Sequence, residues 1–410
     1  MQLRPIVSSL RHHKLTAGLL ILQVALTCAI VCNVAFMIAD RAGQMRLPSG
    51  LAEDELSMLD STSIDPHENL EASHKADLAA LRTIAGVKGV VAVNSLPLNR
   101  NRYDHGACAD AATMQRAMAA DEMVAGCIGF SAYSGTPGEL HTLGLKLVAG
   151  RDFHADEYVA GDNVPTAIIS HALAEKLYPG AHAVGQTMYT EPDRGMRVVG
   201  VVDTLLAPNL GEPAANQLTM LWPQLPNLAT VTYVLRSAPG DRARVLKEAQ
   251  DVLTRLNPQR LIPPKYAQTY TQMRADYFRR DTAMIGLLLA AALGLLFVTA
   301  LGITGLASFW VQQRTRSIGI RRAVGATRGD IRRYFQIENF MIVGGGVLLG
   351  LALAVLLNLT LMRFYELSRL PLYYLPIGAA MLWALGQLAV LAPARRAASV
   401  PPAMATRSVL

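Results

Sequence analysis

Residues 283–311 read AMIGLLLAAALGLLFVTALGITGLASFWV, a run that contains no charged side chain. A helix needs about 20 predominantly apolar residues to cross the hydrocarbon core of a bilayer. Because the run is longer than the helices of soluble cores, it predicts a transmembrane helix. A transmembrane helix places the chain in a membrane, so the first question for the remaining sequence is whether it contains further spans.

Three more apolar stretches have the same character, which gives four predicted spans at 15–39, 282–311, 339–362 and 371–393. The first is longer than the apolar region of about 7–15 residues in a signal peptide and has no small-residue cleavage site after it, so we interpret it as a retained anchor. Only 17% of the 410 residues are charged, against about 25% in soluble domains. The composition therefore also favours a membrane protein.

Basic residues indicate the orientation of these spans, since Lys and Arg are enriched in cytoplasmic loops. They are concentrated in the N-terminal segment 1–14, the loop 312–338 and the tail 394–410, whereas the loop 363–370 contains only two arginines. We therefore expect the first three segments to be cytoplasmic. Residues 40–281 then form a large outer domain, which in a bacterial inner membrane would lie in the periplasm.

The four spans contain no Asp, Glu, Lys, Arg or His. Proton- or ion-coupled carriers use such groups inside the membrane to bind what they carry. The sequence therefore disfavours a secondary transporter or an ion pump. The polar residues that do occur are expected to form hydrogen bonds between helices, and Gly344–Gly346 and Gly350 are expected to allow close helix approach.

The outer segment mixes helix and strand patterns and is long enough for one or two folds. Its clearest strand patterns are VKGVVAVNSL, the strand–helix unit VPTAIISHALAEKLYPG, MRVVGVVDT and ATVTYVLRS, and an amphipathic helix is predicted near 245–256. We predict an α+β domain with two lobes. Cys108 and Cys127 lie in this segment, where an oxidising compartment permits a disulfide, with two separate thiols as the alternative. Cys28 and Cys32 are expected to be packing residues in the first span.

A search for catalytic patterns finds no HExxH, GxSxG or GxxxxGK[ST] motif. The sequence HADE at 154–157 places one His beside two carboxylates, which is typical of a surface turn. Without a P-loop the chain lacks the usual device for binding ATP phosphates. We therefore expect no catalytic, cofactor-binding or metal-binding residues, and any ATP and Mg²⁺ would be bound by a partner ATPase. A membrane-anchored periplasmic enzyme has no cluster of residues to support it.

The loop between the second and third spans contains RTRSIGIRRAVGATRGD at 314–330. Ile318, Ile320 and the pair Ala323-Val324 predict a short helix with an apolar stripe. Gly325 is expected to end this helix, and Thr327 with Asp330 fits the capping box of the next one. Contact with anionic lipid explains the charges alone. Nucleic-acid binding is unfavourable because the loop is tied to the membrane at both ends, whereas docking of a cytosolic partner explains all of these features.

The segment SIGIRRAVGATRGDIRRYFQIENF closely resembles the cytoplasmic loop of the MacB/FtsX-type ABC permease family, whose pattern is approximately E-I-G-[IL]-R-[RK]-A-[LI]-G-A-[TS]-x-x-x-[IV] with a later acidic residue, here Glu338. LGLKLVAGRDF at 143–153, the strand–helix region above and the tail PARRAASVPPAMATR resemble other elements of the family in the same order. One departure is Ser317, where the family usually has Glu. The residues that match a helix docking on the ATPase are Ile318, Gly319, Ile320, Arg321, Arg322, Ala323, Val324, Gly325, Ala326 and Thr327.

This resemblance implies a permease subunit with four spans that pairs with a second, identical or related permease chain and with cytosolic ABC ATPase subunits. It implies that ATP-driven movement of the helices is passed to the periplasmic domain, a process called mechanotransmission. It also implies a membrane-proximal lobe from about 70–97 and 228–280 and a distal lobe from about 98–227, with a helix at 265–281 that continues into the second span. Two functions stay open: efflux of peptides, antibiotics or other amphiphiles, with a periplasmic adaptor and outer-membrane channel, or a non-transporting complex that handles lipoproteins or signals to a periplasmic partner.

Overall fold

The computed structural model describes residues 14–99, 103–120, 124–161, 163–365 and 371–401, which form two compact units. The membrane unit combines the chain up to Met45 with the chain from Arg280 onward, and the outer unit comprises Arg46–Arg279. The predicted cytoplasmic N-terminus at 1–14, the loop at 363–370 and the tail at 394–410 fall largely or partly outside the described residues.

Four long helices make up most of the membrane unit: α1 (Lys14–Met45), α8 (Arg279–Gln313), α10 (Arg328–Tyr365) and α11 (Tyr374–Ala398). Each is long and apolar enough to cross a bilayer, and each contains nearly all of one predicted span. The four-span architecture is therefore confirmed. The helices are longer than the spans because their polar ends extend beyond the apolar run.

Close packing in the membrane unit depends on small residues where helices cross. Gly346 lies against α1, so that a Cβ at this position would be 2.7 Å from the Cβ of Val24. Gly350 has no room for a Cβ beside Cys28, and Gly378 of α11 has none beside Cys32. Both cysteines are buried and free, so they fill the space that these glycines leave.

Polar side chains in the spans bond across helix pairs, as the sequence predicts. The hydroxyls of Thr27 and Thr299 are 2.8 Å apart and join α1 to α8, and Asn33 Nδ2 donates to the Ala354 carbonyl of α10 at 3.1 Å. Asn339 Nδ2 donates to the Gly386 carbonyl of α11 at 2.9 Å. Hydrocarbon offers no competing partner for such groups, so these bonds fix which helix faces meet.

The first sheet of the outer unit has four antiparallel strands in the order β11–β1–β10–β2, which are β1 (Leu56–Thr62), β2 (Val87–Val93), β10 (Thr230–Ser237) and β11 (Gln268–Thr269). Helices α2 (Leu70–Arg82) and α6 (Arg242–Leu256) cover it with their apolar faces. The sheet therefore combines the two segments assigned to the proximal lobe. It also includes β1, which is not among the strands predicted from the sequence.

A buried polar cluster links Arg260, which follows α6, to Asp77 of α2 in this lobe. The guanidinium of Arg260 bonds to both carboxylate oxygens of Asp77 at 2.6 and 2.9 Å, and the Tyr233 hydroxyl donates to the same carboxylate at 2.6 Å. Each charge has a partner, as a buried ion pair requires if it is not to destabilise the fold.

The second sheet is mixed, with seven strands in the order β5–β8–β6–β9–β4–β3–β7. Because β7 also pairs with β8, the strands from β8 to β7 close into a ring around an apolar core. The strands are β3 (Asp104–Cys108), β4 (Cys127–Ser134), β5 (Leu147–Gly150), β6 (Thr166–Ser170), β7 (Thr187–Glu191), β8 (Arg194–Val202) and β9 (Thr219–Trp222). The accompanying helices are α3 (Ala111–Ala120), α4 (Glu139–Leu143) and α5 (His171–Leu177).

A disulfide joins Cys108 and Cys127, which face each other across β3 and β4. This bridge closes a covalent loop that contains α3. The predicted strand–helix unit is β6 followed by α5, whose first turn is capped by the Ser170 hydroxyl accepting from Leu173 N at 3.2 Å.

One continuous helix over 265–281 does not form, so this prediction is wrong. Helix α7 (Tyr270–Tyr277) begins only after the 3₁₀ turn Pro264–Tyr266 and strand β11, because Thr269 caps it with Gln272 in a capping box. Phe278 then separates α7 from α8.

Candidate functional site in the cytoplasmic loop

The loop between the second and third spans folds as helix α9 (Thr315–Ala323) followed by a tight turn into α10. Gly325 has a φ of +107°, a backbone conformation that would be strained in a residue with a side chain. It therefore ends α9. The Ala326 N–H donates to the Arg321 carbonyl at 3.0 Å and closes this turn.

The start of α10 is capped as the capping pattern predicts. The Thr327 hydroxyl accepts from Asp330 N at 3.2 Å, and the Asp330 carboxylate accepts from Thr327 N at 3.0 Å. Two amides that have no partner within the helix are thus satisfied. The turn between α9 and α10 is therefore held on both sides.

One face of α9 is fixed to the membrane unit. Ile318 is buried in a small apolar cluster that also contains Val311, Ile331, Phe335, Ala394, Ala397 and Ala398. Gly319 is buried beside it. Side chains from α8, α9, α10 and α11 thus share one apolar cluster.

A buried ion pair holds the residue that precedes α9. Arg314 Nη1 lies 3.0 and 2.9 Å from the two carboxylate oxygens of Glu338, whose residue is only 2% exposed. Because a buried charge is costly without its partner, this pair strongly disfavours movement of α9 away from α10. The sequence pointed to Glu338 through the family pattern but gave no signal for its partner, since the two lie 24 positions apart.

The opposite face of α9 is apolar and exposed. Ile320 is 50% exposed and Val324 at the helix end is 85% exposed, with Ala323 exposed between them. The prediction of a single stripe that includes Ile318 is therefore wrong. Positions 318 and 320 are two residues apart and point to opposite sides of a helix, whereas 320, 323 and 324 share one side. We call Ile320, Ala323 and Val324 the docking face.

Ser317 stands on the same side as the docking face, since it is three residues before Ile320 and seven before Val324. Its side chain is exposed. The departure from the family's Glu therefore falls on the same exposed side as Ile320 and Val324, and it removes a negative charge there.

The arginines of the loop have different roles. The guanidinium of Arg321 lies 5.0 Å from the centre of the Tyr334 ring, and Arg322 donates to the Val400 carbonyl. Arg316, Arg328, Arg332 and Arg333 are exposed. Two of the arginines in the family pattern thus brace α9 against neighbouring segments, and the others give its surroundings a positive charge.

The HADE sequence forms a 3₁₀ turn in the outer unit. Glu157 binds Arg151 through two 2.7 Å contacts and accepts from His154 N at 2.7 Å. The hydrogen bonds from Arg151 hold the pKa of Glu157 down to about 2. In the part of the chain that the structure describes, no three His, Cys, Asp or Glu side chains are grouped to hold a metal ion.

Comparison with known proteins adds two family matches. Residues 24–255 match the MacB-like periplasmic core domain, and residues 289–402 match the FtsX-like permease C-terminal region. The first match alone covers more than half of the chain.

Curated relatives include the macrolide export ATP-binding/permease protein MacB of Agrobacterium fabrum, which is 30% identical over 236 residues, 53% of this chain and 34% of that protein. The uncharacterized ABC transporter permease YknZ of Bacillus subtilis is 24% identical over 283 residues, 68% of this chain and 64% of YknZ. The chain thus spans about a third of the length of the MacB relative. The solved periplasmic region of MacB from Actinobacillus actinomycetemcomitans aligns over 54% of this chain and 93% of that structure, with 13% identity and a TM-score of 0.32.

Proposed function

Because this chain belongs to the ABC transporter permease family that joins a MacB-like periplasmic core domain to an FtsX-like permease region, we propose that it is the permease subunit of a type VII ABC transporter. A separate cytosolic ATPase binds ATP and Mg²⁺, and this chain is non-catalytic. The ATPase docks on the face formed by Ile320, Ala323 and Val324. Movement of α9 is then passed through the spans to the periplasmic domain.

The observation that carries this proposal is the contrast between the two sides of α9. Its inner side is held by Ile318 and by the Arg314–Glu338 pair, while Ile320, Ala323 and Val324 on its outer side are exposed. An exposed apolar face normally marks an interaction site. A helix braced in this way transmits a displacement to α10 instead of absorbing it.

The same proposal covers location and partners. The chain lies in a bacterial inner membrane with both termini in the cytoplasm, and it pairs with a second permease chain that is identical or related. The name of the MacB relative from Agrobacterium fabrum refers to macrolide export. Efflux of peptides, antibiotics or other amphiphiles, through an adaptor and an outer-membrane channel, is the transport function we propose for this chain.

Substitution of Val324 tests the docking assignment. The full chain would be co-expressed in membranes with ABC ATPases from the same genome, and ATPase co-purification and ATP-driven turnover would be measured. Val324→Asp places a charge on an 85% exposed position, so we expect at least about a tenfold loss of ATPase binding, which corresponds to about 1.4 kcal/mol, with normal insertion.

Gln313→Asp is the matched control, since Gln313 is also exposed at the cytoplasmic end of α8 but lies outside the docking face. This variant should bind the ATPase like the unaltered chain. Equal binding by Val324→Asp and the unaltered chain would contradict the docking assignment.

A further inference from the structure

A cavity of about 700 Å³ lies in the outer unit where the chain passes between its two sheets. Asn94, just after β2, and the returning segment 225–228 line one side, and β3, the end of β4 and the β7–β8 hairpin line the other. Its volume falls in the range of about 300–1,000 Å³ that is typical of ligand sites. We call this cavity the lobe cleft.

Aromatic rings lie together in the lobe cleft. The His105 imidazole meets the Trp222 indole edge to face, with ring centres 4.8 Å apart, and it stacks at 6.1 Å on Phe130 of the apolar core. Packing between Phe130 and Trp222 desolvates part of the His105 ring and lowers its pKa, although the residue as a whole is exposed. The imidazole is therefore neutral near pH 7 and offers an uncharged ring for stacking with another aromatic group.

The charges of the lobe cleft cancel. Arg194 and Glu191 in the β7–β8 hairpin are paired at 3.0 Å and are both half-exposed. With His105 neutral, the described lining has no net charge. A ligand with a strong charge of either sign would therefore gain little from this site.

Amide groups of the lobe cleft suit a peptide backbone. Asn94 Oδ1 accepts from Ser134 N at 2.9 Å, which leaves its amide NH₂ to donate to a ligand. Asn227, on the returning segment, is exposed and can both donate and accept. The two amides stand on the segments that connect the two sheets.

We propose that the lobe cleft binds an uncharged, extended peptide segment through one aromatic side chain. The ring lies beside His105 and Trp222, and a backbone carbonyl of the segment accepts from Asn94. This inference goes beyond the proposed function and does not depend on an ATPase. A bound peptide would touch both connections between the sheets, so binding and the relative position of the sheets would be coupled.

Trp222 provides the readout, because the chain has three tryptophans and the other two, Trp310 and Trp383, lie in the membrane helices. The full chain in lipid nanodiscs, with Trp310→Phe and Trp383→Phe, would be titrated with acetyl-Gln-Phe-Gln-amide while Trp222 fluorescence is followed. Acetyl-Gln-Ala-Gln-amide supplies the same backbone without the ring, and benzyl alcohol supplies a ring without the backbone. We expect a saturable change with the Phe peptide and at least about tenfold weaker binding of both comparators.

His105→Ala should weaken binding of the Phe peptide about tenfold, while His182→Ala, at an exposed position outside the cleft, should leave it unchanged. Leu228→Asp, at an exposed position on the cleft lining, should also weaken binding of the Phe peptide. This second variant tests the cleft without changing β3, in case His105→Ala disturbs that strand. The proposal is overturned if no saturable change occurs, if benzyl alcohol binds as tightly as the peptide, or if both cleft variants bind normally. None of these results depends on ATPase docking, so the proposed function would be unaffected by them.

Discussion

Replacing Glu139 by Gln is expected to remove a decrease of about 2.5 kcal/mol in the outer unit's stability between about pH 5.5 and 7.5. Glu139 opens α4, which packs against the four-stranded sheet, and it is 1% exposed. Neither carboxyl oxygen has a hydrogen-bond partner among the described residues, and the carboxyl lies against the backbone of Gly135. Burial, with a smaller contribution from Asp152, raises the pKa of Glu139 to about 8.

The sign follows from proton binding. The folded chain holds a proton on Glu139 at pH values where the unfolded chain, with a pKa near 4.3 for Glu, has released it. The free energy of unfolding therefore falls as pH rises from about 4.5 to about 8 and is constant above that range. One pKa unit corresponds to about 1.4 kcal/mol, or about 2.8 kcal/mol for two pH units. Because the folded carboxyl is already partly ionised at pH 7.5, the change from about pH 5.5 to 7.5 is about 2.5 kcal/mol.

Urea unfolding of the full chain, followed through Trp222 in the variant that lacks the other two tryptophans, would measure this difference. In the chain with Glu139, the urea concentration at the midpoint of unfolding should fall as pH is raised. Glu139→Gln should sharply reduce this dependence on pH. Glu212→Gln, at an exposed position, is the control and should retain the slope. Parallel pH profiles for Glu139→Gln and the unaltered chain would refute the reasoning.

Three further predictions concern other parts of the chain. Arg314→Leu should lower the free energy of unfolding of the membrane unit by about 3 kcal/mol, because it leaves Glu338 buried without its partner, and the double variant with Glu338→Leu should recover much of the loss in a thermal melt; no recovery would contradict a paired role. Gly325→Ala should cost about 1–2 kcal/mol in the left-handed turn and reduce ATPase co-purification several-fold; unchanged co-purification would show that the turn is not required. Loss of the Cys108–Cys127 bridge through paired Ser substitutions should lower the stability of the outer unit by about 3 kcal/mol, the value for a closed loop of this length, as measured by urea unfolding; an unchanged midpoint would contradict it.

The spans and the capped turn could be predicted from the sequence because both depend on neighbours along the chain. A run of apolar residues determines a transmembrane helix whatever its partners are. Gly325 and the Thr327–Asp330 capping box act within a few residues. Such local signals are independent of the tertiary fold.

Strand β1 was missed because its polar residues find partners only in the folded chain. Ser57 and Ser61 are buried, and Asp60 accepts a hydrogen bond from Thr232 at 2.7 Å across the strand pair. The sequence LSMLDST by itself lacks the clear alternation of apolar and polar residues that marks a strand with one buried and one exposed face. Its position in the sheet, paired with both β10 and β11, is set by residues that are about 170 and 210 positions later in the sequence.

Helix α9 shows a different limit of prediction from sequence. The sequence predicts its apolar residues but suggests a single stripe for Ile318 and Ile320, which a helix separates by about 200°. The clusters formed by α10 and α11 decide which isoleucine is buried. The Arg314–Glu338 pair likewise depends on the approach of two helices that no local pattern encodes.

Helix α8 is buried at one end and is tied to α1 at the other end by the Arg41–Asp281 ion pair, and this has a mechanical consequence. Its buried residues begin at Thr299 and continue through Ile303, Ala307, Trp310 and Val311, in the half that leads to α9. At 1.5 Å per residue the anchored part is about 18 Å long and the arm from Thr299 back to Arg279 is about 30 Å long. A tilt of about 10° at the buried end would displace the far end of the helix by about 5 Å, and Arg41 of α1 would then have to follow Asp281 or release it.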